Sequence, residues 1–387
     1  MKNCNNSVIC YRRNSCASCA SCASRASCSA CKDLALPERL EILQPIRAIT
    51  EPCGIAIDLG TTNIAFELVN LQNGEAIARY SRGNSQQAFG ADVVSRIAAA
   101  NERQANADLL HSYVINDLKI GIEMLVRETA LDRAPRVAIV GNTVMLHLLR
   151  GLSCQTLGVY PFTPVCVEMS GVEIGDIYAE ILPAVSAFVG ADVVAGMYFC
   201  EAHGYNLLVD LGTNAELALY SQEQAFVTSA AAGTAFEGGD IRGSQMVAIC
   251  AELIRKKHID STGLLQENHG SPLSQAHVRE IQLAKSAVRA GIEILLANNK
   301  NLQNLFIAGA FGYRIGIDDA VTVGLVPAEL KGIAKFVGNS ALDGAKKYLL
   351  NPEEAEKINA LAKKAQEISL PIHPEFDTLF MKYMDFN

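Results

Sequence analysis

The chain has 387 residues, half of them apolar and 19% charged, the balance of an ordinary globular protein with room for two domains. A formal charge of −8, with no basic tract of five residues, argues against a nucleic-acid partner, since phosphate-backbone binding rests on clustered Lys and Arg. No run of eighteen apolar residues occurs, and none follows Arg12 and Arg13, so neither a membrane-spanning helix nor a secretory signal is expected. The expected compartment is the cytoplasm, where thiols stay reduced and clustered cysteines bind metal more often than they pair.

Residues 1–33 are Ser, Ala, Asn and Cys with little to build a core, and they hold seven of the twelve cysteines. Residues 34–53, punctuated by Pro37, Pro45 and Pro52, read as a linker. The globular body opens at Gly54 with GIAIDLGTTNIAFELVN, an apolar strand, a tight Gly turn and a second extended run, which predicts a β-hairpin. A helical spacing of Leu109, Val114, Leu118, Ile122 and Leu125 predicts a helix over 102–129. RVAIVG then reads as a buried strand, and 143–150 as a helix closed by Gly151. At 206–221, NLLVDLGTNAELALYS repeats the opening hairpin around a second D-L-G-T. Asp58 and Asp210 stand too far apart for a solenoid, so the repeat predicts two related halves, 54–205 and 206–387. A stripe of Val278, Ile281, Ala284, Val288, Ile292 and Leu295 predicts an amphipathic helix over 276–300, leading into the strand and Gly-rich turn of NLFIAGAFGYR.

In a D-x-G-T turn the Gly lets backbone amides approach a phosphate and the Thr adds a hydroxyl donor. The Asp would repel phosphate, so its role is to organise Mg²⁺, through water, against the phosphate oxygens. Two such turns facing each other would grip a triphosphate, with GAFG at 309–312 offering bare backbone to a nucleoside. Each piece alone is equally a structural turn; the three in this order are a constellation. Glu216, two strand positions past the second turn, would either orient the attacking water as a general base or pair with a cation.

At these residues the chain resembles the superfamily of actin-like ATPases, sugar kinases and heat-shock chaperones. Asp58-Leu59-Gly60-Thr61-Thr62 matches its first phosphate motif, Asp210-Leu211-Gly212-Thr213-Asn214 its second, and Gly309-Ala310-Phe311-Gly312 its adenosine motif. FGADVVSRI (89–97), VGNTVMLHLLRGL (140–152), PFTP (161–164), FVGADVVAG (188–196), GTAFEGGDI (233–241) and VGNSALDGA (337–345) are similar to the blocks of one group within it, the ATP-dependent reductive activators of corrinoid proteins. The match runs from about residue 54 to the C-terminus. The resemblance implies an α/β fold of two actin-like (ribonuclease H-type) domains, with mixed sheets and a nucleotide cleft between them, behind a short Cys-rich segment. It implies ATP and Mg²⁺ as ligands, Asp58, Asp210 and Glu216 as catalytic groups, and Gly60, Thr61, Thr62, Gly212, Thr213, Asn214 and Gly309 to Gly312 around the nucleotide. The implied reaction is ATP-coupled return of a Co(II) corrinoid to Co(I), with a corrinoid protein or methyltransferase as client and an electron donor behind it. The family pattern usually has Gly where Ala215 stands and Pro where Thr234 stands; neither change removes a carboxylate.

Well-known members carry a plant-type ferredoxin domain, which this sequence is not expected to contain. Cys16-x2-Cys19-x2-Cys22 matches the first three ligands of a [4Fe–4S] run, with Cys28-x2-Cys31 offering a fourth thiolate after a longer gap and without the usual Pro. Three readings stay open: an iron–sulfur segment replacing the ferredoxin domain, a Zn site built from the two C-x2-C pairs, and a low-complexity leader with incidental thiols. The Ser/Ala filler buries a cluster poorly, which leaves a cluster shared across a homodimer open.

Cys154, Cys166, Cys200 and Cys250 read as buried small hydrophobes, and His147 as packed or capping. Asp92 and Asp192, each in G-A-D, read as domain-packing residues, and Glu237 as lying near the cleft or capping a hairpin. Two other functions fit the same cleft: a small-molecule kinase, which needs an acceptor pocket, and an ATP-regulated metal chaperone or scaffold.

Overall fold

A computed structural model of the chain describes residues 38–44, 49–212, 214–232, 243–267, 270–297, 301–309 and 315–386. Two mixed sheets organise it. The first holds β1 (Glu38–Ile42), β2 (Cys53–Leu59), β3 (Asn63–Asn70), β4 (Ala76–Gly83), β5 (Arg136–Gly141), β6 (Ser170–Ile174) and β7 (Ile177–Ile181), in the order β1-β4-β3-β2-β5-β7-β6. The second holds β8 (Tyr205–Leu211), β9 (Ala215–Tyr220), β10 (Ala225–Ala230), β11 (Leu302–Ala308), β12 (Ala334–Gly338) and β13 (Ala365–Glu367), in the order β12-β11-β8-β9-β10-β13. Both contain one motif, an antiparallel three-strand meander whose first strand pairs in parallel with a later one: β2 with β5, and β8 with β11. The repeat of D-L-G-T is therefore a repeat of topology. Each Asp is the next-to-last residue of the first meander strand, with Asp58 level with Val140 and Asp210 level with Ala308.

Ten helices cover the sheets among the described residues: α1 (Val93–Glu102), α2 (Gln104–Glu128), α3 (Thr143–Leu149), α4 (Ala191–Phe199), α5 (Gly243–Arg255), α6 (Gln275–Leu296), α7 (Ile317–Thr322), α8 (Ser340–Leu350), α9 (Ala355–Lys364) and α10 (Phe376–Lys382). The stripe that predicts α6 is buried along its whole length, and a capping box between Ser274 and His277 starts the helix. The helix expected over 102–129 is α2; a separate helix, α1, precedes it across the extended Arg103, and Asp92 begins α1 by accepting the Ser95 N–H at 2.7 Å. Asp92 is thus an N-cap, not a domain-packing residue.

The stretch 34–53, expected to be a linker, supplies the edge strand β1, antiparallel to β4. Its sequence ERLEI hides this, because an edge strand with two wet faces needs no apolar run. The chain also returns: α8 packs on α4, β2 and β5, so residues lying between two strands of the second sheet complete the core of the first. Strand β8 divides its side chains accordingly, Leu208 facing that core and Leu207, Val209 and Leu211 the other. No helix among the described residues is long and apolar enough to cross a membrane.

Candidate functional site

The ends of β2 and β8 bring the two aspartates to one cleft. Asp58 accepts a 2.7 Å hydrogen bond from Asn339 Nδ2, and Asn339 Oδ1 accepts the Leu342 N–H at 2.9 Å as the cap of α8. Asp210 stands opposite Glu216 in the β8–β9 ladder. Gly309, just past β11, has φ +90°, and a Cβ there would lie 2.3 Å from the Leu211 carbonyl and 2.6 Å from Asp210 Oδ1. A Cβ on Gly141, the last residue of β5, would lie 2.7 Å from the Leu59 carbonyl. Each parallel strand thus ends in a glycine because its neighbour's Asp-bearing end passes too close for a side chain.

A fourth carboxylate joins from the first turn of α4. Asp192 accepts the Val193 N–H at 2.8 Å. Burial pushes Asp58 up to about 6, despite the opposing Asn339 donor. Burial, then the charge of Asp58, pushes Asp192 to about 7. Burial, then Asp192 and Asp58, pushes Asp210 to about 8, and Glu216 rises well above its ordinary range from burial and the charges of Asp192 and Asp210. Four buried acids, three of them raised further by a neighbour's charge, need a proton or a cation. Among the described residues no three such side chains stand close enough to ligate one ion directly. Clustered carboxylates raised in this way suit a hydrated divalent ion, its waters held by them. Ser340 Oγ, fully buried and without a hydrogen-bond partner among the described atoms, lies near Asp210 short of bonding geometry and opposes its upward shift. It marks where such a water would sit.

The first turn is held firmly. Thr61 is buried and its hydroxyl accepts from Asn142 Nδ2 at 3.0 Å. In the second turn the Gly212 N–H bonds the Asn214 carbonyl at 2.9 Å, and a Cβ on Gly212 would make only an ordinary 3.6 Å contact with that same carbonyl. Beside both turns a cavity of about 330 Å³ is shared by the two halves, with Asn142, Ile97, Phe162 and Phe188 on one side and Asn214 and Glu216 on the other.

Two family models match the chain, one described as the RACo middle region over residues 53–205, the other as the C-terminal domain of RACo, the ASKHA domain, over 204–246 and 265–387. The chain is 28% identical over 411 aligned positions to the corrinoid activation enzyme RamQ of Eubacterium limosum, covering 85% of this chain and 69% of that protein. It is 23% identical to the [Co(II) methylated amine-specific corrinoid protein] reductase of Methanosarcina barkeri, covering 85% and 76%. A solved structure of a reductive activator for corrinoid, iron–sulfur protein superposes with a TM-score of 0.79 at 25% identity, covering 88% of this chain and 67% of that one. The chain belongs to the reductive activators of corrinoid proteins. It is an enzyme built on an actin-like ATPase fold.

In this activator the structure brings Asp58, Asp210 and Glu216 together, with Gly60, Thr61, Thr62, Gly212, Asn214 and Gly309 on the turns beside them. Thr213, Ala310, Phe311 and Gly312 lie outside the described residues, as do Thr234, Glu237 and the thiols Cys16, Cys19, Cys22, Cys28 and Cys31. Asp192 is not a domain-packing residue; it faces the cleft carboxylates. Sequence reasoning also missed Asn142, Asn339 and Ser340, although V-G-N-[ST] occurs twice, each time where a strand gives way to a capped helix. That repeat was the available signal. Cys53, Cys154, Cys200 and Cys250 are buried, with thiols raised by desolvation, whereas Cys166 is partly exposed and receives Arg150 Nη1 at 3.0 Å. The expectation of a buried Cys166 fails because it sits in an irregular segment over the Arg150 guanidinium. His147 is a buried structural residue, bonded to the Thr143 carbonyl and the Val165 N–H.

Proposed function

We propose that this chain binds and hydrolyses ATP in the cleft between its two halves and uses that cycle to drive the one-electron reduction of a Co(II) corrinoid to Co(I) in a client protein. The observation that carries the reading is the pairing of two Asp-Leu-Gly turns on sister strands, whose buried carboxylates are both raised, Asp210 also by the charge of Asp58, in a chain of the corrinoid-activator family. Mg²⁺, held through water by Asp58 and Asp210, would neutralise the phosphate charge. Thr61, Thr62, Thr213 and Asn214 hold phosphate oxygens, Gly309 to Gly312 lie under the nucleoside, and Glu216 orients the attacking water. The two halves, meeting near residue 205, close on ATP and reopen after hydrolysis, a motion that a docked client would feel.

An iron–sulfur cluster on Cys16, Cys19, Cys22 and one or both of Cys28 and Cys31 would supply single-electron transfer from an external donor. That donor, a homodimer sharing the cluster and a cytoplasmic location complete the reading. The client is a corrinoid protein or corrinoid methyltransferase. The test is anaerobic: measure iron content and visible spectrum of the purified chain, then ATP hydrolysis alone and with a Co(II) corrinoid protein. Iron that disappears in C16S/C19S/C22S, and hydrolysis that rises with the client, support the proposal. A colourless, iron-free chain removes the cluster, and a rate indifferent to the client removes the coupling.

A further inference from the structure

The first phosphate turn has three successive carbonyls, and all three are held from behind by side chains of one segment, residues 84–96. Asn84 Nδ2 donates to the Gly60 carbonyl at 2.9 Å, Arg96 Nη2 to the Thr61 carbonyl at 2.7 Å, and Gln87 Nε2 to the Thr62 carbonyl at 2.7 Å. The Asn84 N–H adds a second bond to the Thr62 carbonyl at 2.9 Å. Asn84 and Arg96 are fully buried. In a trans peptide the N–H points opposite to the C=O. Pinning the Gly60 and Thr61 carbonyls toward this segment therefore turns the Thr61 and Thr62 N–H groups the other way, as an anion-binding concavity requires.

Arg96 is the centre of the arrangement. It is fixed by further bonds from Nε to the Gly90 carbonyl at 3.1 Å and from Nη1 to Met145 Sδ at 3.2 Å. Its cationic group thus stands one peptide behind the turn, where it attracts a phosphate without touching it. Arg96 also belongs to α1, whose other face, through Val93, Val94 and Ile97, lines the cavity shared with Asn214 and Glu216. The helix that sets the first phosphate turn thus also lines the cavity that Asn214 and Glu216 line from the second half.

We propose that Arg96, with Asn84 and Gln87, is a positioning residue for the nucleotide phosphates, acting through the carbonyls of Gly60, Thr61 and Thr62. This rests on the reading that the cleft binds ATP. The test compares wild type with R96M, R96K and Q87A by dissociation constants for MgATP and for adenosine, KM and kcat for ATP, and ligand-free melting. A charged hydrogen-bond donor removed from such a turn should weaken MgATP binding by roughly 10- to 100-fold in R96M. R96K should recover part of the loss. Gln87 is only partly buried, so Q87A folds whatever happens to R96M, and it should show the same change at about 3- to 10-fold, as for a neutral hydrogen bond. Adenosine, which has no phosphate, should bind all four proteins alike, and the loss should appear in KM. Equal weakening of adenosine and MgATP would make the segment merely structural and overturn the proposal, as would MgATP binding unchanged in both R96M and Q87A. Wild type that binds adenosine but not MgATP would overturn the ATP reading itself and this inference with it.

Discussion

Replacing Asp210 by Asn should make the ligand-free protein more stable and the nucleotide-bound protein less so. Asp210 is raised from an ordinary 3.8 to about 8 by burial and by the charges of Asp192 and Asp58. A carboxyl whose pKa is raised on folding is held more readily as the acid in the native state. The native state therefore binds the extra proton, and stability falls as pH rises from about 4 to about 8, then levels off. At about 1.4 kcal/mol per pKa unit the full cost approaches 6 kcal/mol, a ceiling, since water and neighbouring groups relax around the charge. Asn keeps the shape and removes the charge, so the D210N gain in melting temperature over wild type should be small at pH 5 and reach several degrees at pH 8. Adding MgATP should reverse the order: wild type gains stability by mass action while D210N, lacking the Mg²⁺-organising carboxylate, gains little. The assay is a set of melts at pH 5 and pH 8 with and without MgATP. D210N that is less stable than wild type at pH 8 without ligand would refute the electrostatic reasoning.

Asn339 caps α8 and donates to Asp58, so N339A should lose about 1 kcal/mol of helix-end stability and weaken MgATP binding. Because the lost donor favours ionised Asp58, the binding defect should be larger at pH 6 than at pH 8, as calorimetry at the two pH values would reveal. G309A places a Cβ against the Leu211 carbonyl at a left-handed φ, and should abolish nucleotide binding while lowering the melting temperature; G212A, whose Cβ would meet only the Asn214 carbonyl at an ordinary 3.6 Å, should lower the melting temperature far less.

Much of this was legible in the sequence. The two hairpins announced themselves because an apolar strand, a Gly turn and a second strand leave a local record, and the repeated D-L-G-T tied the halves together. The α6 stripe was equally plain, since one helix face buried against a sheet fixes the spacing of its apolar residues. Strand β1 was not legible, because an exposed edge places no demand on composition. The return of α8 to the first sheet was hidden for a different reason. Its partners Gly54, Arg136 and Ala195 lie far back in the chain, and nothing local to VGNS records them. Asp192 was misread on the same ground: its role comes from the charges of Asp58 and Asp210, which only the fold brings near.

The central claim is that ATP in this cleft drives reduction of a client's cobalt. Its most direct test is the Co(II) electron paramagnetic resonance signal of a corrinoid protein mixed anaerobically with the chain and a low-potential reductant. The signal should vanish on adding MgATP to wild type and persist with MgADP, or with D210N and MgATP. Loss of the signal without nucleotide, or its persistence with wild type and MgATP, would contradict the account.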